Sequence, residues 1–296
     1  MEQQPLQTTI ESCTLNTFMN EILQDVTQNH IMFLSEGGHG KSTSLRTIVQ
    51  HCKNHGENIT FKIFDNSLAW NQITPTKYIQ TVTSEKILGR QIINLEDCTY
   101  EVGELDQDGQ RAFISTLIKQ DYQQRYAIER DSPEKMKQLP TIVYVIEESN
   151  ISFESNSVRR NDPFTEPLKK FISIGRNLKM RGIFVAQAAV GEISTHLRRR
   201  TRKIYGKIIS ESDLAPIRRS NKDIAEYLTE IPRFHFIYHG SYGFTNPVKI
   251  PDTCTNTPIE PPLTKVTENT AQTHSIPWRW LALGAGILLL VLWLLS

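Results

Sequence analysis

The chain has 296 residues, 33 Lys and Arg against 32 Asp and Glu, and a formal net charge of +1. That length suits one large α/β domain with appendages, and the even charge excludes a protein that attracts nucleic acid or membrane through its overall field, so any basic surface has to be local. Cys13, Cys52, Cys98 and Cys254 show no metal-ligand spacing, which excludes a zinc module and points to free thiols in a reducing compartment. No charged-then-apolar leader opens the chain, so no secretory signal is expected.

Leu15, Phe18, Met19, Ile22, Leu23 and Val26 recur at helical spacing and predict a helix with one buried face within an N-terminal segment, residues 1–29. His30–Leu34 is a short apolar run. It enters a loop, Ser35-Glu36-Gly37-Gly38-His39-Gly40-Lys41-Ser42-Thr43, after which Leu45, Ile48, Val49 and Cys52 mark one face of a helix. Strand, glycine-rich loop and helix together form a phosphate cradle: backbone N–H groups turn inward on the β- and γ-phosphates, and the helix presents its positive end to the same anion. Lys41 reaches the β/γ oxygens and the Ser42 hydroxyl ligates Mg²⁺, so ATP and Mg²⁺ are the expected ligands. Ser35 stands where the first glycine of the usual pattern belongs, and Ser tolerates fewer backbone angles.

Asn58–Phe64 predicts the second strand, ending in Asp65-Asn66-Ser67. Residues 74–104 are mixed, with short strands or loops around Ile92–Leu95, and Asp106 to Arg130 predicts a helix buried through Phe113, Ile114, Leu117, Ile118 and Tyr122. Thr141–Ile146 is an apolar, β-branched run of the kind buried on both faces of a parallel sheet, and it ends on Glu147-Glu148. Behind a phosphate cradle, two such acids predict one that supports the Mg²⁺ shell, Glu147, and one that orients and deprotonates the attacking water, Glu148. Ser149–Asn161 predicts a polar loop, and Leu168, Phe171 and Ile172 a helix leading to Gly175-Arg176. Ile183–Gln187 predicts a further buried strand whose terminal amide can sense the γ-phosphate. Ile204–Ile209 predicts a strand, Ser210–Asp213 a helix start, and the stretches Pro232–His239 and Ser241–Ile250 a hairpin.

Lys169, Lys170, Arg176, Lys179, Arg181, Arg198, Arg199, Arg200, Arg202, Lys203, Arg218 and Arg219 make residues 169–219 the basic part of the chain. Two readings stand: phosphate contacts to a nucleic acid or to a neighbour's nucleotide, or a face toward anionic lipid. No Asn-Lys-x-Asp element is present, since Asn221-Lys222-Asp223 lacks the spacing, which argues against a GTPase. Residues 251–277, rich in Pro and Thr, predict a disordered tether. Trp280–Leu295 carries no charge and sits at the short edge of the roughly 17 to 25 residues a spanning helix needs. Residues 278–296 therefore predict either a membrane helix, with the domain left on the cytoplasmic side by Lys265 and Arg279, or an apolar tail docked on protein.

The order of parts across residues 30–250 resembles the HerA/FtsK superfamily of P-loop ATPases, on Ser35–Thr43, the Glu147-Glu148 strand end, Gly175-Arg176 before the Ile183–Gln187 strand, the Ser212-Asp213 helix start, and Pro232 before the terminal hairpin. It departs from the usual pattern at Ser35, at Glu147 and in the Gly-His-Gly-Lys context. The resemblance implies an α/β, RecA-like core with a mainly parallel sheet that works as a homo-oligomeric ring, usually a hexamer, with ATP at subunit boundaries. On the same grounds Lys41 and Glu148 would be catalytic, Gln187 the sensor, and Arg176 an arginine finger on the neighbour's ATP, with Arg181 and Arg198 as alternatives for that last role. The implied activity is ATP-driven DNA translocation, as in viral genome packaging, with viral structural proteins as possible partners. A cytoplasmic ATPase with one membrane anchor also resembles the zonula-occludens-toxin-like assembly ATPases of filamentous phages, which would make the substrate a protein assembly. A nucleotide-dependent membrane scaffold is the third expectation.

Overall fold

The computed structural model describes residues 15–66, 70, 73–78, 96–153, 164–187, 193–241 and 243–251. The expected strands around Ile92–Leu95, the tether beyond Pro251 and the apolar segment 278–296 lie outside them. Among the described residues no helix is long and apolar enough to cross a membrane.

Helix α1 (Leu15–Gln28) precedes β1 (His30–Leu34), α2 (Lys41–His55) and β2 (Ile59–Asp65). Strands β3 (Thr76–Tyr78) and β4 (Cys98–Glu101) follow, then helices α3 (Gln107–Asp131) and α4 (Pro133–Gln138) and strand β5 (Thr141–Ile146). Next come α5 (Ser149–Ser152), α6 (Thr165–Ile174), a 3-10 turn (Gly175–Leu178), β6 (Met180–Ala186), α7 (Thr195–Arg199) and β7 (Thr201–Tyr205). Helices α8 (Glu211–Ser220) and α9 (Lys222–Glu230) lead to β8 (His235–Gly240), β9 (Gly243–Phe244) and β10 (Val248–Lys249).

The sheet runs β10-β8-β7-β1-β6-β5-β2-β4-β3, with β9 on β8. All pairs from β7 to β3 are parallel, and β8 turns the sheet antiparallel at one end, where it meets β7, β9 and β10. The fold is thus α/β with a mostly parallel mixed sheet, consistent with a RecA-like core. Alternation along each strand feeds two cores. Met32 and Leu34 of β1 join Tyr144, Phe113, Leu117, Leu168 and Phe171 on one face, while Ile31 and Phe33 join Phe18, Ile22, Leu45, Ile48, Val49 and Cys52 on the other. Burial of each such side chain contributes about 1.5–3 kcal/mol, which is what turns the helical spacing of α1 and α2 into packed helices.

Several boundaries differ from the sequence expectation. The polar loop expected from Ser149 begins as the short helix α5. The strand expected at 204–209 lies at Thr201–Tyr205 instead, because β7 must pair with β1 from His30↔Thr201 onward. Helix α9 was not anticipated, although Asn221 caps it by accepting from the Ile224 N–H at 3.1 Å. Cys52 and Cys98 are free, buried thiols.

Two buried polar clusters fix how the helices sit on the sheet. Arg125 of α3, fully buried, donates to the carbonyls of Leu178 (3.0 Å), Lys179 (3.2 Å) and Pro140 (2.7 Å), so one guanidinium ties together the entrances of β5 and β6. Beside it Lys62 Nζ lies 2.5 Å from Asp121 Oδ2, which also accepts from the Tyr144 hydroxyl at 2.6 Å. Removing one partner of such a pair leaves the other charge buried and uncompensated. Asp121→Ala is therefore expected to cost about 3–5 kcal/mol in urea denaturation, and Lys62→Met with Asp121→Leu to recover much of it. A loss below about 1 kcal/mol for the single variant would contradict the assignment.

Candidate nucleotide site

The parallel register decides what meets at the C-terminal edge of the sheet. Leu34 pairs with Ala186, so the next residues out, Ser35 and Gln187, are neighbours; Phe64 pairs with Ile146, which sets Asp65 beside Glu147. These exits open into a cavity of about 630 Å³ lined by Gly37, Gly38, Gly40, Lys41, Ser42, Thr43, Asn66, Glu147, Glu148, Asn150, Val185, Ala186, Gln187 and Arg233.

The loop has the expected build. Gly38 (φ 74°) and Gly40 (φ 87°) take left-handed angles that favour glycine. Helix α2 starts at Lys41 with no acidic residue in its first turn, so its exposed N–H groups keep their affinity for an anion. Ser35 is accommodated without strain, since its φ is not positive. Room for its side chain comes from Gly206, where a Cβ would lie 2.4 Å from Ser35 Oγ. Glu36 anchors the loop by donating its N–H to the Lys207 carbonyl at 2.8 Å, and the His39 carbonyl accepts from the Phe234 N–H at 3.3 Å. Lys41 Nζ donates to the carbonyls of Ser35 (2.6 Å) and Glu36 (2.8 Å), folding its ammonium back over the loop. Burial lowers the Lys41 pKa, with Glu36 and Glu147 opposing.

Across the cavity the two acids differ. Glu147 is buried, and its Oε1 has no hydrogen-bond partner among the described residues. Burial, then the charge of Asp65, push its carboxyl up to about 7, while the Ser42 hydroxyl pulls it down. Glu148 sits in the left-handed region at φ 49°, ψ 52° and its Oε2 accepts from Asn66 Nδ2 at 3.1 Å. A non-glycine residue there stores about 1–3 kcal/mol of strain, a feature that clusters at functional sites, and Asn66 aims the carboxylate. The Gln187 amide oxygen would lie 3.6 Å from a Cβ at Gly37, placing the amide against the loop.

An orphaned carboxylate oxygen beside a serine hydroxyl is a hard-oxygen donor set, which fits Mg²⁺. Ser42 and Glu147 would hold the ion, Glu147 through water.

Arg176 is not brought to this cavity. It is exposed on the 3-10 turn just before β6, at the edge of the sheet opposite the cavity. Arg181 is buried, with Nη1 donating to the carbonyls of Arg176 and Met180, both at 3.0 Å, and is therefore committed to its own fold. Arg198 donates to Ile193 O at 3.2 Å and to Thr195 Oγ1 at 3.0 Å. Asn66 and Arg233 are the site residues the sequence pattern does not reveal, because neither belongs to a motif.

Cradle, sheet order and paired acids together define the P-loop NTPase class of architecture. No protein-family model and no curated protein sequence matches the chain. Solved structures do: the genome packaging NTPase B204 from Sulfolobus turreted icosahedral virus 2 in complex with sulfate is similar at a TM-score of 0.52 and 15% identity, over 75% of this chain and 97% of that one. Its complex with ATP-gammaS gives 0.52 and 13%, over 75% and 98%. The pCW3 conjugation coupling protein TcpA, in monomer form with ATPgS, gives 0.50 and 14%, over 77% and 62%. At these identities the likeness is one of fold.

Because Gly206 yields the space Ser35 occupies, Gly206→Ala is expected to lower stability by about 1–3 kcal/mol in thermal or urea melts. Adding Ser35→Gly should restore part of the loss; a neutral Gly206→Ala would contradict the packing.

Proposed function

We propose that the protein is an ATP hydrolase of the genome-packaging or translocase type. The observation that carries this reading is the convergence of Lys41, Ser42, Glu147, Glu148 and Gln187 on one cavity beneath a glycine-rich loop and a helix N-terminus. The loop amides and Lys41 hold the β- and γ-phosphates, Lys41 exchanging its two carbonyl partners for phosphate oxygens. Mg²⁺, when bound, neutralises charge that builds on the phosphates. Glu148, aimed by Asn66, accepts a proton from the attacking water, and Gln187 hydrogen-bonds that water or the γ-phosphate.

DNA as the moved substrate is supported by the opposite edge of the sheet. There Arg176, Arg198, Arg199, Arg200, Arg202 and Lys203 form no ion pair with a carboxylate among the described residues. The crowding registers in the pKa values. Burial, then Arg202 and Arg198, bring Lys203 down to about 8, and burial followed by Arg181 and Arg176 brings His30 to about 3. Such an edge meets phosphates by counterion release. The reading further includes a homo-oligomeric ring, which gives Arg176 a neighbour's nucleotide to act on, and a membrane attachment through the uncharged run Trp280–Leu295, with the ATPase domain on the cytoplasmic side.

The full-length protein should hydrolyse ATP, with DNA stimulating the rate at low salt. Glu148→Gln should lower kcat by about 10²–10⁴-fold while nucleotide binding persists. Arg199→Glu with Arg200→Glu should reduce the dependence of log affinity for DNA on log salt by roughly 2. Hydrolysis indifferent to DNA, with no salt-sensitive binding, would point to a protein assembly as the substrate and overturn the DNA assignment.

A further inference from the structure

The turn Pro232-Arg233-Phe234 enters β8 beside the phosphate loop and is bolted to it. A Cβ at Gly40 would lie 2.3 Å from Phe234 Cε1, so the ring occupies space that only a glycine leaves. Phe234 itself adopts φ 64°, an outlier for a bulky residue. Its N–H donates to the His39 carbonyl at 3.3 Å and its carbonyl accepts from the Ile250 N–H at 2.9 Å, which hold that conformation from both sides.

Arg233 projects from this fixed point. Its guanidinium carbon stacks 4.7 Å from the Phe234 ring centroid, the side chain is exposed, and it lines the same cavity as Lys41. Among the described residues the guanidinium has neither a carboxylate partner nor a hydrogen bond. A planar fork held on an aromatic face, with its donors unspent and its position fixed beside a phosphate cradle, matches two oxygens of a phosphate chain.

We infer that Arg233 is a nucleotide-binding residue acting within its own subunit, its fork donating to phosphate oxygens of the nucleoside triphosphate in the cradle while Phe234 serves as its platform. This rests on the triphosphate reading of the cavity and adds to it a cation from the far end of the chain. It is distinct from Arg176, which faces away from its own cavity. The turn also connects the cavity to the last described residues. Ile250 is bonded to Phe234, and the Pro251 carbonyl accepts from Thr47 Oγ1 of α2 at 3.1 Å.

The test is calorimetric titration of the full-length protein with magnesium–ATPγS, using wild type, Lys41→Ala, Arg233→Ala and Arg233→Lys, each checked for an unchanged melting temperature. Arg233→Ala should weaken binding by about 10- to 100-fold, as expected for lost hydrogen bonds to a charged group, and Arg233→Lys should recover part of it. Wild-type affinity in Arg233→Ala, including the case in which only self-association is lost, overturns the inference. Failure of the wild type itself to bind would overturn the triphosphate reading instead, so the two failures are distinguishable.

Discussion

Parallel pairing of β1 with β6 and β7, and of β5 with β2 and β6, is the constraint on which the site depends. It sends the exits of five strands to one edge, where the chain must leave the sheet in loops. At the other end Arg125 ties the entrances of β5 and β6 together, and a one-residue slip of either strand would turn every side chain to the opposite face. Glu147 would then lose its place beside Ser42 and Asp65. The buried guanidinium, remote from the cavity, thus supports the pairing that brings Glu147 beside Ser42.

Two residues show how local geometry converts this scaffold into a reactive site. Glu147 is buried against Asp65, an arrangement costly for two ionised carboxylates and relieved by a cation. Glu148, one position later, is thrown into a left-handed turn that lifts its carboxylate out of the sheet and into reach of Asn66. Adjacent acids therefore meet different surroundings, because one ends a buried strand and the other begins a strained turn.

The sheet interior and the cradle were legible in the sequence, because buried parallel strands read as apolar runs, Thr141–Ile146 in full and β6 from Ile183 onward though it starts at Met180, and glycine spacing marks the loop. The margins were not. Strand β7 begins Thr-Arg-Lys, polar residues at the basic edge, and stops where Gly206 gives way to Ser35, so the apolar residues after it misplace the strand. Strands β3 and β4 are three and four residues long and carry no period to detect. Asn221 caps α9, whereas in the sequence it stands out only in an Asn-Lys-Asp run that lacks base-recognition spacing. Arg233 and Phe234 reach the cradle only through folding, and no spacing rule joins them to Gly40.

The central claim is that residues 37–44 and the acids facing them enclose a magnesium-bound nucleoside triphosphate. Amide hydrogen exchange of the full-length protein with and without magnesium–ATPγS tests it most directly, because bound phosphate oxygens protect the amides they accept from. The account predicts slowed exchange across residues 37–44 and little change along α3, on the far side of the sheet from α2. Unchanged exchange in the loop at saturating ligand, or protection confined to the basic edge around Arg199 and Arg200, would contradict it.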